Sequence, residues 1–197
     1  MSEKLILTKE FFIARGGERD CYLHPLDCTK VIKITHRYNT EASRNQNDLE
    51  YQYFEYLKRL NKPFTHITKC YGYIDTTLGK GIVSDKVCDY DGKISMTFLD
   101  TITQNKFTKY EEIKLVEDLK DYLFTNNILF IDIHISNIYC CEYEKGKYRL
   151  MIIDGLGAIR LGIKFWLYLK SEIFTKYKIR KQWNKFIDNI EKVRYGK

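Results

Sequence analysis

Long apolar runs are missing from this chain: no stretch approaches the roughly 18 uninterrupted apolar residues that a membrane-spanning helix needs. The opening stretch, MSEKLILTKEFFIARGG, is too charged, and its apolar part too short, for a secretory signal. These absences lead us to expect a cytoplasmic protein. Cysteine occurs without pattern. Cys21, Cys28, Cys70, Cys88, Cys140 and Cys141 form no C-x-x-C and no Cys/His spacing of a zinc site, which favours packed free thiols over a metal or disulfide framework. Low complexity, solenoid-like repeats and Pro/Gly/Ser linkers are also lacking. The 197 residues, 44% of them hydrophobic, therefore read as one unit able to bury a core without staples.

Charge is unevenly distributed. From Arg160 to Lys197 there are eleven Lys/Arg against Glu172, Asp188 and Glu191, so this last fifth carries the basic excess of a chain whose net charge is +7. The first 35 residues alternate β-branched or aromatic runs with turn signals and predict a small antiparallel sheet: KLILT, EFFIARGGERDCYLH and TKVIKIT. In TEASRNQNDLEYQYFEYLKRLN the period becomes helical, with Leu49, Tyr53, Leu57 and Leu60 on one face and Asn61 and Pro63 to end it. ITKCYGYIDT and GKGIVSDKVCD predict a further hairpin. TKYEEIKLVEDLKDYLFTNN predicts an amphipathic helix, with Ile113, Val116, Leu119 and Leu123 on one side and Thr108 as cap ahead of Glu111. Next come two apolar strands in ILFIDIHISNIYCCEYEKGKYRLMIIDGLGAIR, then a basic helical remainder. This order predicts an α+β fold of two lobes within one domain, a β-rich one over residues 1–87 and a mostly helical one over residues 88–197, hinged near Val87 to Gly92.

Asp132, His134 and Asn137 interrupt one apolar run and Asp154 follows another. Such groups are costly to desolvate unless they face a cleft and find partners. A magnesium ion takes a few oxygen ligands and leaves the rest to water and phosphate, so Asn137 and Asp154 suit it, and Asp132 is left to act as a base. Lys33, on a strand with apolar neighbours, requires an anionic partner, for which Glu50 and Glu55 are the candidates. Gly16 and Gly17 in ARGGER would let backbone N–H groups approach a phosphate.

In order and spacing these elements resemble the superfamily of eukaryotic-type protein kinases and aminoglycoside/choline phosphotransferases. VIKI resembles the lysine strand, Glu50 the helix glutamate paired with it, DIHISN the D-x-H-x-x-N catalytic loop and IDG the magnesium-binding segment. Within it, CYLHPLDCTKVIKI and DYDGKIS resemble the bacterial PhoP regulatory network (YrbL-type) family. The superfamily resemblance runs from about Ile13 to Arg160. It implies a small, truncated kinase-like fold that uses ATP and magnesium, with Lys33 on the phosphates, Glu50 holding Lys33, Gly16 and Gly17 near the nucleotide, Asp132 as base, and Asn137 and Asp154 as metal ligands.

Departures shape the expected substrate. Phe130 and Ile131 stand where protein kinases carry His-Arg, no A-P-E segment follows Asp154, and Ala14, Gly16 and Arg19 occupy the three glycine positions of the phosphate loop. With His134 in the loop, the reading favours a hydroxyl-bearing small molecule or envelope sugar over a folded protein as acceptor. A catalytically idle pseudokinase that binds nucleotide or a partner is the rival reading, and a basic module for anionic lipid or nucleic acid a third. In the tail, Phe165, Trp166, Tyr168, Phe174, Tyr177, Trp183 and Phe186 interleave with basic residues, a composition suited to an anionic membrane at its cytoplasmic face. A packed helix with a solvated basic face is the plainer expectation. Nucleic acid is disfavoured, since no stacking platform or known module accompanies the charge.

Overall fold

The computed structural model describes residues 4–36, 46–157 and 163–196, and these divide into two compact units. The first comprises Met1–Leu60 with Thr68–Lys86, and the second Asn61–Ile67 with Val87–Lys197. The chain is an α+β protein, and residues 61–67, read from the sequence as part of the front lobe, group with the second unit.

In the first unit, β1 (Phe12–Arg15), β2 (Arg19–Leu23), β3 (Lys30–Thr35), β4 (Cys70–Thr76) and β5 (Gly79–Asp85) form an antiparallel sheet in the order β1-β2-β3-β5-β4. Alternation along β3 sorts its side chains. Ile32 and Ile34 join Val83 and Leu7 in an apolar cluster on one face, whereas Lys33 projects from the other, against α1 (Gln46–Arg59). The helix buries Leu49, Tyr53, Phe54 and Leu57, close to the predicted stripe, while Leu60 lies beyond its end and is exposed. The first part of the predicted helix, residues 40–45, lies outside the described residues. KLILT does not form a strand of the sheet: Leu5 makes a single parallel bridge to Thr76, and a 3-10 turn follows at Lys9–Phe11.

The second unit holds β6 (Met96–Thr97), β7 (Ile138–Glu144) and β8 (Lys147–Ile152) as a small antiparallel sheet, with α2 (Phe98–Thr103), α3 (Lys109–Asn126), α4 (Ile163–Lys170) and α5 (Glu172–Tyr195). Thr108 caps α3 through a reciprocal box with Glu111. The buried face of α3 is set by Leu115, Leu119, Tyr122 and Leu123; Ile113, expected on it, is 43% exposed. Ile113 and Val116 instead line a groove shared with Ile187, Ile190 and Tyr195 of α5. The hairpin expected over this stretch forms as β7 and β8, but its first strand begins only at Ile138, and in ILFI Phe130 alone makes an isolated antiparallel bridge, to Leu156. The ILFI residues are buried, but Ile131 and Asp132 both donate to the Gly155 carbonyl, at 2.8 and 3.0 Å, and one acceptor shared by consecutive amides cannot continue a ladder.

The six cysteines are free; Cys140 and Cys141 are buried, and burial pushes the Cys140 thiol up to about 12. Among the described residues no helix is long and apolar enough to cross a membrane.

Candidate active site

Each unit carries one group of the candidate residues. In the first, the Lys33 ammonium lies 3.1 and 3.3 Å from the two oxygens of Glu50. Both residues are buried, at 7% and 6% exposure. Glu55 is the other sequence candidate, but it stays at the surface and pairs with Lys58 at 2.9 Å. Helical geometry decides between them: Glu50 falls on the stripe of Leu49, Tyr53 and Leu57 that faces the sheet, and Glu55 does not.

A third charged group joins this pair. Arg19, at the start of β2 and 6% exposed, donates from Nη1 to Glu50 Oε2 at 2.6 Å and to Asn47 Oδ1 at 3.1 Å. The Asn47 amide in turn donates to the Lys33 carbonyl at 3.3 Å. One helix carboxylate is thus shared by cations from two adjacent strands, and Asn47 ties that arrangement to the β3 backbone. The sequence marked Arg19 only as a departure from glycine; its contact with Glu50, 31 residues away, becomes visible only when β2 and β3 pair. A further helix-to-sheet tie runs from the Tyr73 hydroxyl to Asp48, and burial together with that carboxylate raises the Tyr73 phenol.

Gly16 and Gly17 form the turn between β1 and β2. The Gly16 amide donates to the Arg19 carbonyl at 2.8 Å and so closes the turn, whereas nothing lies within 4 Å of a side chain built at Gly17.

In the second unit, Asp132 is half-exposed, with His134 Nε2 at 3.4 Å from its Oδ1. The Asn137 side-chain nitrogen donates to the Asp132 carbonyl at 3.1 Å and to its carboxylate at 3.3 Å. Spending the nitrogen on Asp132 turns the amide oxygen of Asn137 elsewhere, as a metal ligand needs. Ile153 donates to the Asn137 carbonyl at 2.9 Å, which links the 3-10 turn Ile135–Asn137 to the segment bearing Asp154. Asp154 Oδ1 accepts from the Gly155 amide at 2.7 Å. Gly155 itself has φ of +84°, and a Cβ there would lie 2.6 Å from the Asp132 carbonyl oxygen. The glycine of IDG is therefore a steric requirement that lets the Asp132 and Asp154 segments touch.

α5 braces this loop from beneath. Gln182 is buried and donates to the Ile131 carbonyl at 2.5 Å, Asn189 reaches the Ile133 carbonyl at 3.4 Å, and Phe130 packs edge-on against Phe186. Sequence reasoning missed Gln182 and Asn189, and a polar residue on a helix with many solvated neighbours offers no local signal to find them. Among the described residues no group of three or more His, Cys, Asp or Glu side chains is placed to hold a metal. Asn137 and Asp154 carry oxygen donors, the ligand type that magnesium takes alongside water and phosphate.

This is an α+β protein with a buried lysine–glutamate pair in one unit and a D-x-H-x-x-N loop packed against an Asp-Gly segment in the other. A family model described as PhoP regulatory network protein YrbL matches residues 5–191, and the chain belongs to that family. The uncharacterized protein YrbL of Escherichia coli (strain K12) is 29% identical over 160 residues, covering 79% of this chain and 74% of its own. The uncharacterized protein YrbL of Shigella flexneri matches to the same extent. Two crystal structures of the Mycobacterium tuberculosis PknI kinase domain, one of a single-site mutant, align over 73% of this chain with TM-scores of 0.49 and 0.47 and identities of 16% and 15%. The chain spans 57% of the length of those domains.

Proposed function

We propose that this protein is a small kinase-like phosphotransferase that moves the terminal phosphoryl group of ATP to a hydroxyl of a small molecule or sugar. The observation that carries the reading is the Lys33–Glu50 pair. A lysine buried on a central strand, with a helix carboxylate holding it, is the arrangement that phosphoryl transfer uses to fix the α and β phosphates. The packing of Asp132, Asn137 and the Asp154–Gly155 segment supports it from the second unit.

In this reading Lys33 binds the phosphates and Glu50 keeps its ammonium oriented. Asp132 receives the acceptor's proton as the new P–O bond forms and the bond from the γ phosphorus to the bridging oxygen breaks, releasing ADP. Asn137 orients Asp132 through its amide nitrogen and, with Asp154, would hold magnesium, which when bound neutralises phosphate charge. Positioning and electrostatics supply most of the acceleration in such chemistry. The acceptor class follows from the departures from protein-kinase motifs, Phe130 and Ile131 before Asp132 and no A-P-E segment after Asp154.

A second reading is favoured by one observation. The Gly16 amide is spent inside its own turn rather than held open for a phosphate, which suits a regulatory protein that binds nucleotide or a partner without turning it over. Magnesium-dependent ATP turnover by the purified chain and by Asp132→Asn separates the two. The first reading expects a rate that falls by about 100-fold or more in the variant; nucleotide binding with equal residual rates would replace it by the second.

A further inference from the structure

The outer face of α5 carries groups that the phosphotransferase reading does not use. The buried stripe of this helix is Thr175, Ile179, Gln182, Trp183, Phe186 and Ile190. At 100° per residue, Ile173, Phe174 and Tyr177 lie on the side opposite that stripe. Their exposures are 81%, 47% and 65%. Trp166 and Leu167, at 50% and 39%, are exposed on α4 just before the junction. The two helices meet at Ser171, whose amide donates to the Leu167 carbonyl at 2.9 Å, and the Thr175 hydroxyl staples the corner, its one proton within reach of the carbonyls of Ser171 and Tyr168. Eleven residues separate Trp166 from Tyr177, so five exposed apolar or aromatic side chains fall in one short ledge of chain on either side of the Ser171 corner.

Basic residues flank that ledge. Lys170 is exposed at the end of α4, and Arg180 and Lys181 are exposed one turn beyond Tyr177. Of the acidic side chains close by, Glu172 is engaged by Lys176 at 2.7 Å and by Asn127 at 3.2 Å. A cluster of large apolar side chains left in water marks an interaction surface. Its basic surround selects the partner by charge. A second copy of the same face would set cation against cation, whereas anionic headgroups offer the complementary charge and a boundary at which Trp and Tyr rings are stable.

We propose that the α4–α5 corner docks onto an anionic lipid bilayer surface, with Trp166, Ile173, Phe174 and Tyr177 entering the headgroup region and Lys170, Arg180 and Lys181 meeting the phosphates. Docking of this kind is peripheral and salt-sensitive, and it engages none of the candidate active-site side chains.

Sedimentation of the full chain with vesicles tests it, comparing pure phosphatidylcholine with an equal mixture of phosphatidylcholine and phosphatidylglycerol. Binding is expected to the mixed vesicles only, to weaken as salt rises, and to fall by on the order of 100-fold in Lys170→Glu/Arg180→Glu/Lys181→Glu. A second variant, Ile173→Ser/Phe174→Ser/Tyr177→Ser, is expected to lose binding while keeping the circular dichroism and ATP turnover of the parent, since none of the three belongs to the buried stripe of α5. Failure to sediment with mixed vesicles overturns the proposal, as does equal binding to both vesicle types. Concentration-dependent dimerisation that the serine variant abolishes, without vesicle binding, assigns the ledge to a second copy. Binding of single-stranded nucleic acid in place of vesicles assigns it to that polymer. Either result overturns the proposal.

Discussion

Replacing Glu50 by Gln is the most direct perturbation of the buried charge cluster. The substitution keeps size and shape but removes a negative charge that Arg19 and Lys33 share at 2.6 and 3.1 Å. Both cations are more than nine-tenths buried, with exposures of 6% and 7%. Removing one partner of a buried ion pair costs about 3–5 kcal/mol, because a desolvated charge loses a counter-charge. Two cations lose the same carboxylate, so a cost within that range is expected. For a urea dependence of about 2 kcal/mol per molar, the unfolding midpoint of the first unit moves down by about 2 M. Equilibrium unfolding followed by circular dichroism measures it, and Arg19→Met in the Glu50→Gln background provides the control. Removing one buried cation should restore a large part of the loss, which a double-mutant cycle reads as a coupling energy. A cost near that of a surface pair, under about 1 kcal/mol, or no recovery in the double variant, would refute the account of a desolvated three-charge cluster.

Two further expectations concern the second unit. Gly155→Ala places a Cβ 2.6 Å from the Asp132 carbonyl at a φ of +84°, so it should lower stability by roughly 1–3 kcal/mol and reduce any ATP turnover beyond what that loss explains; a thermal melt and rate equal to the parent would show that the close approach is not required. Burial holds the His66 imidazole below its ordinary value, and its Nδ1 lies 2.9 Å from the Leu150 carbonyl. Because the unfolded chain then takes up the proton first, His66 costs nothing above its unfolded pKa of about 6.5 and destabilises the native state as pH falls below it. Urea midpoints at about pH 7.5 and about pH 5.5 should therefore differ less in His66→Gln than in the parent, and an unchanged difference would exclude His66 as a contributor.

Much of the candidate site was legible locally. A lysine in a β-branched run and a helix whose apolar stripe includes Glu50 are periodic features, and period survives without knowledge of the fold. The cap of α3 was equally plain, because Thr108 and Glu111 interact within one turn. Where the reading failed, a distant partner had intervened. ILFI has strand composition, but consecutive amides on one Gly155 carbonyl override it. Ile113 was placed in the core by its helical period, yet the face of α3 that turns inward is chosen by Leu115 and Tyr122. The short helix α2 was not foreseen, since six residues carry too little periodicity to announce themselves.

The sequence alone determined the strand and helix alternation, the lysine that needs a counter-charge, and the spacing of Asp132, Asn137 and Asp154, because all of these arise from chemistry between near neighbours. Only the tertiary structure decided that Arg19 shares Glu50 with Lys33, that Gly155 is pressed against Asp132, and that α5 turns Gln182 inward and Ile173, Phe174 and Tyr177 outward. Those outcomes depend on which surfaces are removed from water together, and burial is a property of the packed chain rather than of any segment within it.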